Sequence, residues 1–369
     1  MISTSSVSFA PGWAIAFILP VAAEMTSACE RARVVVPPLP MLLSSLRGQN
    51  APVRTLERAL AHGRLPNAYL FEGPSGVGKR QAALALAQAR LCPEQPGKGC
   101  GRCAVCHRIV TGNHPDARTF APREEGNRNI QVETLRSEIL PVAQFAPFEG
   151  EHTFLIFPEA DISFPEQHPE AANALLKTLE EPRPNITFVL LAEKPDRLLR
   201  TIRSRCQRLR FGALPPLVIE HVLEQAGIAE DRRAAAVALA EGRAARALAL
   251  AQDGVADELF ASALRIDRTL ALRDTGRFVE LSEELAKRDD LLLLMETLAA
   301  VYRDLAALGL GFEKLRFRSK LAELRDNALP PAAAAARVGA LAELPELLGR
   351  NANPQIALDH LFVQLAELR

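Results

Sequence analysis

The sequence predicts an α/β domain with a parallel sheet covered by helices on both faces, followed by a region built only from helices. Three observations support this prediction. A short apolar run, AYLFEG, leads directly into the glycine-rich stretch GPSGVGKR, and a helical pattern follows it. Further apolar runs, DARTFAP, HTFLIF and NITFVLLA, alternate with helical patterns, which indicates buried strands. Beyond about residue 213 only helical patterns are evident.

Composition and charge narrow the class of protein. The chain has 369 residues, enough for two or three domains. Its formal net charge is zero, so bulk electrostatics do not imply a nucleic acid or a membrane as a partner.

The first 40 residues differ in character from the remainder. The run WAIAFILPVAA is apolar, but it is about half as long as a membrane-spanning helix and contains Pro20. No Lys or Arg precedes it, as a secretory signal would require. We expect residues 1–40 to be a disordered extension, with Met41 near the true beginning of the protein. A targeting peptide is the alternative.

The glycine-rich stretch matches a phosphate-binding loop except at its last position. Such a loop surrounds phosphates with backbone N–H groups, and its lysine reaches the outer phosphates. Arg80 stands where a hydroxyl would bind Mg²⁺, so we do not expect a magnesium site. The candidate residues of this loop are Gly73, Gly76, Gly78, Lys79 and Arg80. The alternative is a glycine turn that binds nothing, and the sequence leaves open whether ATP or ADP binds here.

Four of the six cysteines lie between residues 92 and 106, namely Cys92, Cys100, Cys103 and Cys106. The last three are separated by gaps of two residues, which lets neighbouring thiolates take adjacent corners of a tetrahedron. Four thiolates leave no open coordination position, so the pattern predicts one structural zinc ion per chain. Free or paired cysteines are the alternative.

Several motifs together resemble a known family. AANALLKTLEEP is followed by FVLLAEKPDRLLRTIRSRCQ, and both come after GNHPD at residues 112–116 and the cysteine insert. These motifs, in this order, resemble the clamp-loader ATPases of bacterial DNA replication, which are AAA+ proteins. The resemblance covers about residues 42–369. It implies a AAA+ nucleotide-binding-like domain at 41–212 with a zinc module at 92–106, a helical lid at 213–255, and a helical collar for oligomerisation at 256–369.

Within that family the chain departs from the ATP-hydrolysing subunits, gamma and tau. In the FLIFPEAD stretch, Pro158 replaces the Mg²⁺-binding aspartate of the Walker B motif, although Glu159 remains at the water-activating position. Glu193 and Lys194 stand at sensor 1, and Ala245 stands where motor subunits carry an arginine. Phosphoryl transfer depends on positioning and on charge neutralisation by the metal. The resemblance therefore implies a subunit that does not hydrolyse ATP. An active motor subunit is the alternative.

The SRC motif, Ser204-Arg205-Cys206, is intact. In the family this motif presents an arginine finger to ATP that is bound by the neighbouring gamma or tau subunit. The resemblance thus implies a cytoplasmic, non-motor subunit of the DNA polymerase III holoenzyme, in a hetero-pentamer with gamma/tau and delta. The sliding clamp and primer-template DNA would be engaged through the complex, with no membrane involved. Two alternatives are that Arg205 is an ordinary solvated charge and that the zinc insert binds DNA independently.

Overall fold

The computed structural model describes residues 41–122, 129–252, 254–312, 315–349 and 352–368. The extension that we expect over residues 1–40 lies outside these ranges. Among the described residues, no helix combines the length and the apolar character that crossing a bilayer requires.

A parallel sheet of five strands forms the first part of the described chain. The strands are β1 Ala68–Glu72, β2 Ala117–Thr119, β3 Thr153–Phe157, β4 Ile186–Ala192 and β5 Gln207–Arg210, in the spatial order β2-β3-β4-β1-β5. Strand β1 lies between β4 and β5, and its residue Leu70 is opposite Leu190 of β4 and Arg208 of β5. The first four strands confirm the four predicted apolar runs, and β5 was not predicted.

Helices cover both faces of the sheet, as the fold class predicts. Alternate residues of β1 point to different cores: Tyr69 and Phe71 belong to one apolar cluster, and Ala68 and Leu70 to the other. Every residue of β1, β3 and β4 is buried, because neither face of these strands reaches water. The helices of this part are α1 Asn50–Ala61, α2 Lys79–Leu91, α3 Ala104–Val110, α4 Val132–Thr134, α5 Leu140–Gln144, α6 Ala160–Ser163, α7 Pro169–Glu180 and α8 Arg200–Arg205. A π-helical segment, Leu135–Ile139, joins α4 to α5, and two 3₁₀ turns lie at Leu43–Ser45 and Pro195–Arg197.

Only helices follow the sheet in the part of the chain that the structure describes, which confirms the all-helical second region. The first three are α9 Pro216–Gln225, α10 Glu230–Leu239 and α11 Ala244–Leu250. The others are α12 Val255–Ala271, α13 Thr275–Leu285, α14 Leu291–Gly309, α15 Leu321–Arg325, α16 Pro331–Leu341, α17 Leu344–Gly349 and α18 Pro354–Glu367, with a 3₁₀ turn at Arg318–Lys320. The domain boundaries at residues 212 and 255 remain a prediction.

A buried ionic cluster ties the C-terminal helices together. Arg337 on α16 donates a hydrogen bond to Asp267 on α12 over 2.7 Å, and the Tyr302 hydroxyl on α14 donates to the same carboxylate over 2.9 Å. Arg337 also donates to the carbonyl oxygen of Leu368, just beyond α18. The hydrogen bonds of Asp267 and Arg337 therefore connect α12, α14, α16 and the end of α18 within an apolar interior.

Candidate functional site

The glycine loop between β1 and α2 depends on its first glycine for packing as well as for shape. Gly73, Gly76 and Gly78 all have positive φ angles, of 142°, 72° and 102°, which non-glycine residues rarely adopt. A Cβ atom on Gly73 would lie 2.0 Å from the carbonyl oxygen of Phe211. Gly73 therefore permits close contact between the loop and the segment after β5, whether or not a phosphate is bound.

Lys79 turns back into its own loop. Its ammonium group donates hydrogen bonds to the carbonyl oxygens of Pro74, over 2.7 Å, and Gly73. Burial lowers the pKa of Lys79 to about 8, although the negative charge of Glu193 opposes this shift. The group that would reach the outer phosphates is thus engaged by carbonyl groups of the loop itself.

The start of α11 closes on the loop. The backbone N–H of Ala245 donates to the carbonyl oxygen of Gly76 over 3.3 Å, and a Cβ atom on Gly76 would lie 2.9 Å from the Ala245 Cβ atom. Arg243 donates to the Ser75 hydroxyl over 3.3 Å and pairs with Glu193 at 3.3 Å. The glycine loop, the position of sensor 1 and the GRAARAL segment therefore meet. Our sequence analysis singled out Ala245 and missed Arg243.

The positions expected to bind a divalent cation do not supply oxygen ligands. Arg80 is partly buried at the start of α2, and burial lowers the pKa of its guanidinium. Pro158 follows β3 directly, and the carbonyl oxygen of Glu159 accepts hydrogen bonds from the N–H groups of Ile162 and Ser163 in α6. Neither Arg80 nor Pro158 has a side-chain oxygen, so neither side chain can bind Mg²⁺.

The four clustered cysteines converge on one point. Their Sγ atoms all lie within 4.8 Å of one another, with 3.8 Å between Cys92 and Cys103 and 3.9 Å between Cys100 and Cys106. A disulfide needs an S–S distance of about 2.05 Å. A tetrahedron of thiolates around zinc, with Zn–S bonds of about 2.3 Å, has edges of about 3.8 Å. The spacing thus excludes disulfides within the cluster and fits a tetrathiolate metal site.

Backbone N–H groups point at three of these sulfurs. The N–H groups of Gln95, Cys103 and Cys106 point at the Sγ atoms of Cys92, Cys100 and Cys103 over 3.3, 3.3 and 3.4 Å. N–H donors of this kind stabilise thiolates and orient metal ligands. The buried Gln88 amide on α2 donates to the carbonyl oxygen of Cys106, which fixes the insert to the helix that carries it.

The SRC motif lies at the end of α8. The Ser204 hydroxyl donates to the carbonyl oxygen of Thr201 over 2.9 Å, so it is used within its own helix. Burial raises the pKa of the Cys206 thiol to about 12, with a further contribution from Glu72, and the thiol stays protonated. Arg205 keeps about a third of its side chain exposed. Of the three residues, Arg205 alone offers a charged group at the surface.

Two neighbouring arginines, Arg203 and Arg208, each have an acidic partner. Arg203 donates to Asp196 over 2.5 Å, and Arg208 pairs through two nitrogens with the buried Glu72. Arg205 donates to the Glu180 carboxylate at the end of α7 and, over 2.9 Å, to the carbonyl oxygen of Thr201. The sequence offered no signal for these pairings, because their members are up to 136 residues apart.

A five-stranded parallel sheet with a glycine loop after β1, and a helical region that closes on that loop, define the class: a P-loop AAA+ protein. Residues 48–215 match a family model described as DNA polymerase III, delta subunit. DNA polymerase III subunit delta' of Bacillus subtilis (strain 168) is 30% identical over 322 residues, which cover 85% of this chain and 95% of the relative. The delta' subunit of Escherichia coli (strain K12) is 35% identical over 181 residues, covering 48% of this chain and 52% of the relative. The tau subunit of Bacillus subtilis is 29% identical over 264 residues, covering 71% of this chain and 42% of the relative.

The chain belongs to the delta' family of DNA polymerase III clamp-loader subunits, which act in DNA replication.

Proposed function

We propose that this chain is the non-motor subunit of its clamp loader and supplies Arg205 in trans to ATP bound by a neighbouring gamma or tau subunit. Its partners would be the gamma/tau and delta subunits, and the complex would load the sliding clamp on primer-template DNA. The observation that carries the proposal is a contrast within one chain. Arg205 stands at the surface at the end of α8, while Arg80 and Pro158, at the two positions where a motor subunit would bind Mg²⁺, have no side-chain oxygen.

The chain's own loop is suited to a structural role. ATP hydrolysis needs a metal ion that bridges the β- and γ-phosphates, and the loop lacks the residues that would hold it. Lys79 is bonded to the loop's carbonyl groups, and Arg243 holds the loop to Glu193. We expect the isolated chain to show no ATP turnover, and Mg²⁺ not to strengthen ATP binding in a titration with and without the metal. Turnover that Lys79→Ala removes would support the motor alternative instead.

The finger is tested by reconstituting the complete loader with Arg205→Ala. An arginine delivered across an interface is worth roughly 10³–10⁵ in rate at the site that it faces. We therefore expect ATP hydrolysis stimulated by the clamp and primed DNA to fall, while the loader still assembles. Arg197→Ala is the matched control, since Arg197 is an exposed arginine of the same segment. An unchanged rate in an assembled Arg205→Ala loader would refute the finger role.

We propose that the cysteine cluster holds one structural zinc ion, bound by Cys92, Cys100, Cys103 and Cys106. The sulfur spacing and the N–H donors support this assignment. Zinc would stabilise the insert, since structural sites in zinc-finger peptides contribute roughly 10–16 kcal/mol of apparent binding free energy. Elemental analysis should give one zinc per chain, and Cys103→Ser should lower that content. Less than half an equivalent in carefully prepared protein would exclude the assignment.

A further inference from the structure

Arg205 does not extend freely from the end of α8. Glu180 is the last residue of α7, which packs against α8, so its carboxylate stands beside the last residue of that helix. One terminal nitrogen of Arg205 donates to the Glu180 carboxylate, and the other donates to the carbonyl oxygen of Thr201 over 2.9 Å. Both partners are fixed to helices, so the guanidinium has a defined place.

These two contacts leave most of the guanidinium available. Arginine has five N–H donors in a planar fork. One is used by Glu180 and one by Thr201, so three remain for an anion. Arg205 is also about one third exposed. The two contacts therefore orient the Arg205 side chain and leave its other N–H donors available to a ligand.

We infer that Glu180 is a positioning residue for Arg205: it holds the guanidinium in the orientation in which it meets the phosphates of a nucleotide bound by the neighbouring subunit. This inference rests on the proposed finger role of Arg205. The physical reason is conformational entropy, because a long arginine side chain otherwise samples many rotamers. A group that is already oriented loses less freedom when the transition state forms.

The carboxylate of Glu180 is specific to this arginine. Arg203 is held by Asp196, and Arg208 by Glu72. The next residue along the chain, Glu181, is exposed and follows the end of α7. It therefore provides a matched control, with the same charge at nearly the same place.

The expected effect is modest because the pair is partly exposed. The Glu180 side chain is 49% exposed, and water screens ion pairs of this kind. We expect Glu180→Ala to lower the kcat of the reconstituted loader, with clamp and primed DNA present, by roughly two- to five-fold. The KM for ATP should stay the same, since the finger acts in the transition state and ground-state binding belongs to the neighbour.

Two further variants separate orientation from mere stability. Glu180→Gln keeps an oxygen that accepts the Arg205 N–H, so we expect it to retain more of the rate than Glu180→Ala does. In an Arg205→Ala background, Glu180→Ala should cause no further loss, because the residue acts through Arg205. Glu181→Ala should leave the rate unchanged. Size-exclusion chromatography of each reconstituted variant is the check that the loader still assembles.

The outcomes distinguish this inference from the function on which it rests. If Arg205→Ala lowers the rate but Glu180→Ala does not, Glu180 has no positioning role and the finger proposal survives. If Glu180→Ala raises the rate, the carboxylate restrains the finger, and the inference is overturned. An additional loss in the Arg205→Ala background would also overturn it, since Glu180 would then act elsewhere. If Arg205→Ala has no effect in an assembled loader, the function and the inference both fall.

Discussion

Asp116 holds the turn that precedes β3, and its replacement is the sharpest stability test that the structure offers. The side chain is 2% exposed. Its carboxylate accepts hydrogen bonds from three consecutive N–H groups, those of Phe148, Glu149 and Gly150, over 2.6, 2.8 and 2.7 Å. Arg108 on α3 pairs with Glu149 in the same turn, so the turn is also tied to the helix of the cysteine insert.

The expected loss for Asp116→Ala follows from these three bonds. Hydrogen bonds to a charged group contribute about 1.5–3 kcal/mol each. The turn lies at the surface, where the released N–H groups can reach water, so the full sum is not lost. We expect the free energy of unfolding to fall by about 3 kcal/mol. Asp116→Asn keeps one acceptor oxygen and should lose about half as much.

Urea denaturation followed by circular dichroism at the helical band measures this loss. Tryptophan fluorescence is unsuitable, because the single tryptophan is Trp13, far from the turn in sequence. Glu151→Ala is the matched control, since that carboxylate is 83% exposed and pairs with Arg90 at the surface. We expect the control to stay within about 0.5 kcal/mol of the parent protein. A loss below about 1 kcal/mol for Asp116→Ala would refute the reasoning, because three charge-assisted bonds would then contribute almost nothing.

Three other perturbations test separate features of the fold by the same denaturation assay. Arg337→Met should cost about 3–5 kcal/mol, because it leaves the Asp267 carboxylate buried without its partner. Arg337→Met combined with Asp267→Leu and Tyr302→Phe removes every polar member of the cluster and should be close to neutral; equal losses in the single and triple variants would contradict this. Burial lowers the pKa of His152 to about 4, so between pH 6.5 and 4 the unfolded chain binds more protons and stability falls as pH falls. The parent should therefore lose about 2 kcal/mol more than His152→Gln between pH 7 and pH 5, and parallel pH curves would exclude this role. Gly73→Ala should destabilise by at least about 2 kcal/mol, since its Cβ atom would meet the Phe211 carbonyl oxygen at 2.0 Å, and a smaller loss would show that the backbone adjusts easily.

The sequence was sufficient to predict the elements whose residues are buried on both faces. The apolar runs of β1, β3 and β4 are continuous, and each became a fully buried strand. The edge strand β5 was not predicted, because its sequence, QRLR, buries only Leu209 and exposes three polar side chains to water. An edge strand has one neighbour, so its composition need not be apolar. The convergence of the cysteines was predictable because their spacing is local.

Contacts between distant segments could not be predicted in the same way. The pairing of Arg205 with Glu180 depends on how α7 and α8 pack, and the contact of Arg243 with Ser75 joins residues 168 positions apart. Charged surface residues carry little periodic signal, so the sequence shows which arginines exist but not which acid each one meets. Family resemblance pointed to Ala245, while the side-chain hydrogen bond to the loop comes from Arg243, two residues earlier.

The ion pair between Glu72 and Arg208 connects the glycine loop to the segment that carries the SRC motif. Glu72 immediately precedes the glycine loop, and Arg208 lies two residues beyond Cys206 on the strand beside β1. Lys79 and Arg243 hold the glycine loop through hydrogen bonds, so the ion pair connects a restrained loop to the strand that follows the SRC motif. In the role proposed above, this connection would keep Arg205 at a constant position while the neighbouring subunits hydrolyse ATP.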